Sequence, residues 1–530
     1  MVLSLAAIFA IQQSGLKSQG GFMLSRVASL AVLGVGAYLV QVEVDLAQGL
    51  PTFTTVGLPE GAVRESKERV RSALVNSGFS MPVNRITVNL APADVRKEGA
   101  AFDLPIALGI LAACGVIAPQ ALEGVAVVGE LALDGAVRPV RGCLPMAAAL
   151  AKAGLDSFIV PEANGPEAAI VQDVRVLSAG TLAQVVRHLQ AGEGLPVAMA
   201  AVDDGLLQGG ADGVDMADVR GQEHVKRALT IAAAGGHNVL MVGPPGSGKT
   251  MLARRLPGIL PPLCFDEALE VTQVASVAGL LPSGQALVAS RPFRAPHHTI
   301  SDAGLIGGGS VPRPGEVSLA HHGVLFLDEL PEFKKSVLEV LRQPLEDGRV
   351  TITRAAATVD FPARLMLVAA MNPCPCGYHG DNKRQCLCTP VQVRNYLGRV
   401  SGPLMDRIDI QVEVPAVPFK ELSSDSCGPG SAQVRQQVIA ARQIQGQRLC
   451  GAAHCNAQMS ARQVRGHCRL SPEGSRLLER AMERFNLSAR AFTRILKIAR
   501  TIADLEAAVD IAPPHLAEAI GYRSLDRGLA

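Results

Sequence analysis

One stretch leaves this chain few folds to choose from: Gly243-Pro244-Pro245-Gly246-Ser247-Gly248-Lys249-Thr250. The apolar run Asn238-Val239-Leu240-Met241-Val242 precedes it, and Met251-Leu252-Ala253-Arg254-Arg255-Leu256 follows. The order is a short buried strand, a glycine-rich turn and a helix start. Such a turn closes backbone N–H groups around an anion, and the helix N-terminus adds its partial positive charge. Residues 243–248 form the cradle, Lys249 would reach the β- and γ-phosphates, and Thr250 would ligate Mg²⁺. The expected ligands are therefore ATP and Mg²⁺.

Two further strands point to the same edge. Gly323-Val324-Leu325-Phe326-Leu327-Asp328-Glu329-Leu330 puts four apolar residues in a row, as a fully buried parallel strand requires, with two carboxylates at its carboxyl end. Open α/β sheets bind ligands at that edge. Asp328 is expected in the Mg²⁺ shell, with Glu329 orienting and deprotonating the attacking water. Leu365-Met366-Leu367-Val368-Ala369-Ala370-Met371 ends at Asn372, whose amide would hydrogen-bond the lytic water or the γ-phosphate.

Composition narrows the setting. A length of 530 residues allows about three domains. A hydrophobic content of 48% with 18% charged residues is ordinary globular material. The net charge of +2 gives no domain-wide basic field, although local basic rings can sit inside a neutral assembly. Absence of Trp and only four Tyr argue against an RNA reader built on stacking aromatics. Eleven cysteines are few for this length, which suits a reducing, cytoplasmic setting. Val2 to Ile11 lacks a basic flank and is too short to span a bilayer, so residues 1–22 read as a non-native or mis-assigned extension with Met23 as initiator.

Four cysteines, Cys374, Cys376, Cys386 and Cys388, form two C-x-C pairs joined by a polar, glycine-containing loop. Four thiolates suit a closed structural zinc site, with His379 as a substitute ligand. The Cys450, His454, Cys455 grouping has weak spacing and reads as incidental. The pairs His297-His298 and His321-His322 read as structural or nucleotide-coupling, since adjacent histidines usually point different ways. Arg291 to Arg313, with Gly307-Gly308-Gly309 and three arginines, reads as a loop able to enter a ring's pore. Lys334, Lys335 and Arg354 are further candidates for phosphate contact.

Residues 23–190 alternate strand and helix patterns in an α+β unit. Strands are expected at 37–44, 85–90 and 157–161, helices at 62–77, 102–113 and 144–153, and a hairpin over 126–135 with an Asp-Gly turn. Gly129-Glu130-Leu131, Val137-Arg138-Pro139-Val140-Arg141-Gly142 and Ile159-Val160-Pro161 resemble the proteolytic domain of Lon-type proteases. That family works by a Ser–Lys dyad. Ala101 falls where the serine belongs and Leu144 where the lysine belongs, so the resemblance implies the fold without its chemistry. Ser72 and Lys67 lie on a plain helix and make a poor substitute. Residues 191–215 read as a linker.

Val219-Arg220-Gly221-Gln222-Glu223 resembles the opening of ring ATPases, which places Val219 and Gly221 beside the adenine. Phe293-Arg294-Ala295-Pro296-His297-His298-Thr299, Pro312-Arg313-Pro314-Gly315-Glu316, His321-His322 and Asn372-Pro373-Cys374-Pro375-Cys376-Gly377 together resemble the ComM/YifB family. These are Mg-chelatase-like AAA+ proteins with a Lon-like N-terminal domain. The implied fold class is α/β: an AAA+ P-loop core over 216–422 with a helical lid over 423–530, preceded by an α+β Lon-protease-like (ribosomal S5 domain 2-like) domain. By this resemblance Asn372 is a sensor, Arg407 projects into the neighbouring subunit's γ-phosphate, and Arg490, with Arg494 in reserve, is a second sensor. The family implies a hexameric ATPase that drives branch migration of single-stranded and branched DNA in natural transformation. A magnesium-chelatase motor is the rival, disfavoured by the extra N-terminal domain and by the lack of a D-x-S-x-S metal-adhesion motif. An ATP-driven protease lacks its dyad, and a non-enzymatic scaffold is weaker still.

Overall fold

The computed structural model describes residues 23–58, 61–93, 97, 99–200, 213–282, 285–309, 312–353, 358–380, 384–418, 428–449, 455–485 and 487–523. The 22-residue extension, residues 201–212 of the linker, Arg354, Cys450 and His454 lie outside them. Labels below are given to the longer elements and those that build the site.

Alternating apolar residues make Met23–Leu33 (β1) and Gly36–Ala47 (β2) strands that pair antiparallel from Met23↔Leu46 to Leu33↔Gly36. Thr52–Val56 (β3), Arg85–Ala91 (β4), Val125–Val127 (β5), Ser157–Pro161 (β6) and Arg175–Ala179 (β7) complete a seven-stranded mixed sheet in the order β3-β4-β2-β1-β5-β6-β7. Val40, Val42, Val44 and Leu46 leave one side of β2 and pack with Asp103–Ala113 (α2), every residue of which is buried. Gly61–Asn76 (α1), Cys143–Ala153 (α3) and Leu182–Ala191 (α4) complete this α/β unit. The hairpin expected over 126–135 is displaced. Residues 125–127 join the large sheet parallel to β6, where Ala126 and Val127 are buried, and the turn at Asp134-Gly135 instead joins Glu130–Leu131 to Val137–Arg138.

The second sheet is parallel throughout. Val239–Val242 (β8), Phe293–Arg294 (β9), Val324–Leu327 (β10), Met366–Met371 (β13) and Ile410–Glu413 (β14) run in the order β9-β10-β13-β8-β14. A separate hairpin, Arg349–Thr353 (β11) with Thr358–Pro362 (β12), precedes β13. Strands β8, β10 and β13 are buried on both faces, which is why their sequences are unbroken apolar runs. Val239, Met241, Val324, Phe326, Val368 and Ala370 enter one core, and Leu240, Val242, Leu325, Leu327, Leu367 and Ala369 enter the other.

The first of these cores is shared with Glu223–Gly235 (α5), Lys249–Ile259 (α6) and the C-terminal helices. After Phe265–Ala278 (α7), those helices are Ser431–Leu449 (α8), Ala461–His467 (α9), Pro472–Phe485 (α10), Ala489–Leu505 (α11) and Pro513–Gly521 (α12). Asp504 draws the bundle together, accepting from Arg448, Arg500 and Asn456. Among the described residues no helix is long and apolar enough to cross a membrane.

Among the described residues, the N-terminal unit touches the parallel-sheet unit around α7 and at the β1–β2 turn. Leu144, fully buried, packs with Ile170 and with Leu263, Ala268, Val271 and Leu287 on and around α7. At the β1–β2 turn, a Cβ on Gly34 would lie 2.4 Å from Val359 Cγ1 of the β11–β12 hairpin, and Val35 packs against the second core.

One buried charge organises the N-terminal core. Asp103 has a fully buried side chain and accepts from Arg69 Nε at 2.6 Å, Arg69 Nη2 at 3.1 Å and Leu131 N at 3.3 Å. Burial pushes its carboxyl up to about 6, against the pull of Arg69. Arg69→Ala strands that carboxylate, at an expected cost of about 3–5 kcal/mol. Its folded pKa would then lie still further above the unfolded value, so stability present at low pH is lost as pH rises through it. Thermal unfolding of the full chain should show a deficit at pH 8 that shrinks at pH 5; equal deficits would contradict this account.

Candidate nucleotide-binding site

Three adjacent strand ends converge because the order β10-β13-β8 makes them neighbours, in register from Val242↔Met371 and Leu327↔Ala369. Beyond β8, Gly246 (φ +75°) and Gly248 (φ +91°) take left-handed backbone that only glycine adopts freely. A Cβ on Gly243 would lie 2.1 Å from Val414 O, so the chain can pass there only without a side chain. Helix α6 starts at Lys249, aiming its N-terminus at the loop.

Lys249 is buried, and its Nζ donates to Gly243 O and Pro244 O at 2.8 Å each and to Asn372 Oδ1 at 3.3 Å. Burial lowers its pKa, and Asp328 and Glu329 oppose that shift. Thr250 Oγ1 donates to Asp328 Oδ2 at 2.6 Å. Asp328 Oδ1 in turn accepts from Glu329 N at 2.9 Å. Glu329 stands at φ +53°, a left-handed conformation that costs a residue with a Cβ about 1–2 kcal/mol. Its carboxylate is exposed, 3.4 Å from His298 Nδ1. The residues present fit a magnesium–nucleotide: a glycine cradle at a helix start, an ammonium beside it, and a hydroxyl–carboxylate pair.

Sequence reasoning missed one contributor, Gln222, and named no partner for His298. Gln222, also left-handed at φ +55°, donates from Nε2 to Ser247 O at 2.9 Å and to Pro415 O at 3.0 Å, tying the loop to the end of β14. Its place in Val219-Arg220-Gly221-Gln222-Glu223 was the available signal. His298 beside Glu329 had none, because only the fold brings them together.

Arg407, the arginine expected to serve a neighbouring subunit, has partners within its own chain. Its side chain is 6% exposed and is bound within its own chain by the Glu346 carboxylate and Pro403 O. Arg490 lies 3.6 Å from Asp406, and Arg494 binds Asp409. Among the described residues, neither Arg407 nor Arg490 shares a hydrogen bond or ion pair with the loop residues 243–250. Two arginines at the start of the expected pore loop are bound within the chain. Arg291 binds Pro261 O, His322 O and Glu267, and Arg294 makes a two-point pair with Glu316 at 2.6 and 2.7 Å. Lys334 and Lys335 are exposed.

The four clustered cysteines do meet. Cys374 Sγ lies 3.3 Å from Cys376 Sγ and 3.7 Å from Cys386 Sγ, Cys376 and Cys386 are 3.6 Å apart, and Cys388 joins them within 4.8 Å. Tetrahedral thiolates with bonds of ~2.3 Å have sulfurs roughly 3.8 Å apart, so the set could hold one ion. Backbone N–H groups of Tyr378 and Leu387 hold the Cys376 thiol down at about 6, whereas burial and the neighbouring thiols push Cys386 up to about 12 and Cys388 upward as well. His379 is exposed and outside the group. The knot abuts the nucleotide loop: a Cβ on Gly377 would lie 2.5 Å from Pro245 Cδ.

Both rings of the second histidine pair converge on Glu270 of α7, although adjacent histidines usually point different ways. His321 Nε2 and His322 Nε2 lie 2.8 and 2.7 Å from the same Glu270 oxygen. His321 Nδ1 accepts from Arg364 N, so Nε2 carries its proton and donates. That proton makes the trio a hydrogen-bonded clasp, not a metal site, and its histidines hold the Glu270 carboxyl down at about 2.

Fold and site together define a P-loop nucleotide-binding protein. Three family descriptions match: "Magnesium chelatase, subunit ChlI" over residues 215–422, "Subunit ChlI of Mg-chelatase" over 42–164, and "Magnesium chelatase, subunit ChlI C-terminal" over 428–523. The chain is 48% identical to competence protein ComM of Haemophilus influenzae, over 95% of this chain and 98% of that protein. It is 45% identical to the uncharacterized protein YifB of Escherichia coli over the same shares. The magnesium-chelatase 38 kDa subunit of Rhodobacter capsulatus matches at 27% over 32% of this chain and 51% of that protein. The chain belongs to the ComM/YifB family of Mg-chelatase ChlI-like proteins.

Proposed function

We propose that this chain is an ATP-hydrolysing ring motor that drives branch migration of DNA, promoting integration of incoming single strands in natural transformation or homologous recombination. The nucleotide chemistry rests on the convergence of Lys249, Thr250, Asp328 and Asn372 at one sheet edge. The DNA reading is supported by likeness to competence protein ComM over nearly the whole of both chains.

In this reading Lys249 binds the β- and γ-phosphates, and Thr250 with Asp328 holds Mg²⁺, which neutralises developing phosphate charge. Glu329 takes the proton of the attacking water, and Asn372 orients it. Arg407 leaves Glu346 to serve a neighbouring subunit of a hexamer, a step worth on the order of 10³-fold or more in rate. Arg490 is the second sensor. The division into a Lon-like domain over 23–190, a linker over 191–215, an ATPase core over 216–422 and a helical lid over 423–530 belongs to this proposal. So does a cytoplasmic location.

A magnesium-chelatase motor is the second reading, favoured by the family descriptions. It is weakened by the short match to the chelatase subunit, compared with near-complete coverage of ComM.

The decisive experiment is ATP-dependent branch displacement on forked DNA, with porphyrin metalation and casein cleavage as controls. Native protein should displace strands and score negative in both controls. Lys249→Ala should abolish hydrolysis, and Glu329→Gln should slow turnover by about 10²–10⁴-fold while retaining nucleotide. Undiminished hydrolysis in Lys249→Ala would overturn the site.

The cysteine knot is proposed to hold one structural Zn²⁺. Metal analysis should find one zinc per chain in native protein and none in a Cys376→Ser, Cys386→Ser double variant. Native protein free of metal, or a variant that keeps it, would refute the assignment.

A further inference from the structure

Positive charge is unevenly spread along this chain. Residues 431–530 carry fifteen Arg and Lys against eight Asp and Glu, a balance of +7, while the whole chain carries +2. Between Asp425 and Glu473 there is no carboxylate at all, yet six arginines occur there: Arg435, Arg442, Arg448, Arg462, Arg465 and Arg469.

Some of these cations have structural work. Arg448 pairs with Asp504, and Arg442 donates to Ala233 O, closing α8 against α5. Arg462, Arg465 and Arg469 differ. All three are exposed, and among the described residues none makes a hydrogen bond or ion pair. Arg462 and Arg465 are one turn apart on α9, and Arg469 follows two residues beyond the helix. The opposite side of α9 is anchored, since Val464 and Cys468 are buried in the core shared with the parallel sheet. Three guanidinium groups are thus held outward on a fixed base, and no acid lies among them or in the 36 residues before Arg462.

The neighbouring helix provides the contrast. On α10, Arg476, Arg480 and Arg484 share the helix with Glu473, Glu479 and Glu483, so its net charge is zero. An interleaved face of that kind is ordinary solvated surface.

We propose that the surface formed by Arg462, Arg465 and Arg469 binds the phosphodiester backbone of DNA, outside the nucleotide site. Planar guanidinium forks match phosphate oxygens two at a time and keep their charge at every physiological pH. Contacts of this kind set position on the strand and carry no base sequence. This inference rests on the DNA-motor reading and adds to it a holding point on the C-terminal helices.

The test uses the full chain and two triple variants with the same change in net charge: Arg462→Gln, Arg465→Gln, Arg469→Gln, and Arg476→Gln, Arg480→Gln, Arg484→Gln. Affinity for single-stranded and forked DNA is measured across a salt series, with ATP hydrolysis measured in the absence of DNA. The first variant should lose about tenfold or more in affinity, and its slope of log K against log salt should fall by about 2, while the second should stay within roughly threefold of native. Both should hydrolyse ATP at the native rate, which also reports that they are folded. Native affinity and slope in the first variant, or an equal loss in both, would overturn this surface and leave the DNA reading standing. Native protein that binds neither DNA would overturn the DNA reading itself.

Discussion

The hydrogen bond from Thr250 Oγ1 to Asp328 Oδ2, at 2.6 Å, joins the ends of two strands that are not neighbours in the sheet. Strand β13 lies between them, and its tip delivers Asn372 to Lys249. That strand order brings the ammonium, the hydroxyl, the carboxylate and the Asn372 amide to one edge. The sheet meets the requirement by burying β8, β10 and β13 on both faces, so a slip along either β10 or β13 would draw Asp328 or Asn372 toward the apolar interior. Glu329 and Gln222 are held in left-handed backbone at its rim, where the rigid sheet can bear the cost.

The N-terminal unit is braced against this core. Leu144, the residue standing where a Lon-type lysine would be expected, is at the centre of the apolar contact with α7. The same helix carries Glu270, which clasps His321 and His322 two residues before β10 begins. A continuous path of packed and hydrogen-bonded groups therefore runs from the N-terminal sheet to the strand that bears Asp328 and Glu329. The cysteine knot reaches the site from the other side, following Asn372 directly in the chain and packing Gly377 on Pro245.

Much of this was legible in the sequence, and the reasons are local. The run from Val239 to Thr250 specifies strand, turn and helix through apolar residues, glycines and spacing that act within one short segment. The runs ending at Asp328 and Asn372 are equally self-contained, as are the long C-terminal helices. What escaped was decided by partners distant in sequence. Residues 125–127 read as half of a hairpin because the parallel partner at 157–161 is remote. Arg407 gave no sign of its in-chain partner, because nothing near it in sequence announces Glu346. His321 and His322 read as diverging because Glu270 lies on another helix, and His298 gave no hint that it would face Glu329.

Mg²⁺-dependent nucleotide affinity bears most directly on the central claim, that Thr250 and Asp328 together hold the metal of a bound nucleotide. Equilibrium titration of the native chain and an Asp328→Asn variant with ATP, in the presence of Mg²⁺ and of a chelator, separates metal from phosphate contributions. The account predicts that Mg²⁺ tightens ATP binding to the native chain and that this gain disappears in the variant, with metal-free affinity little changed. An identical Mg²⁺ gain in both proteins would contradict it.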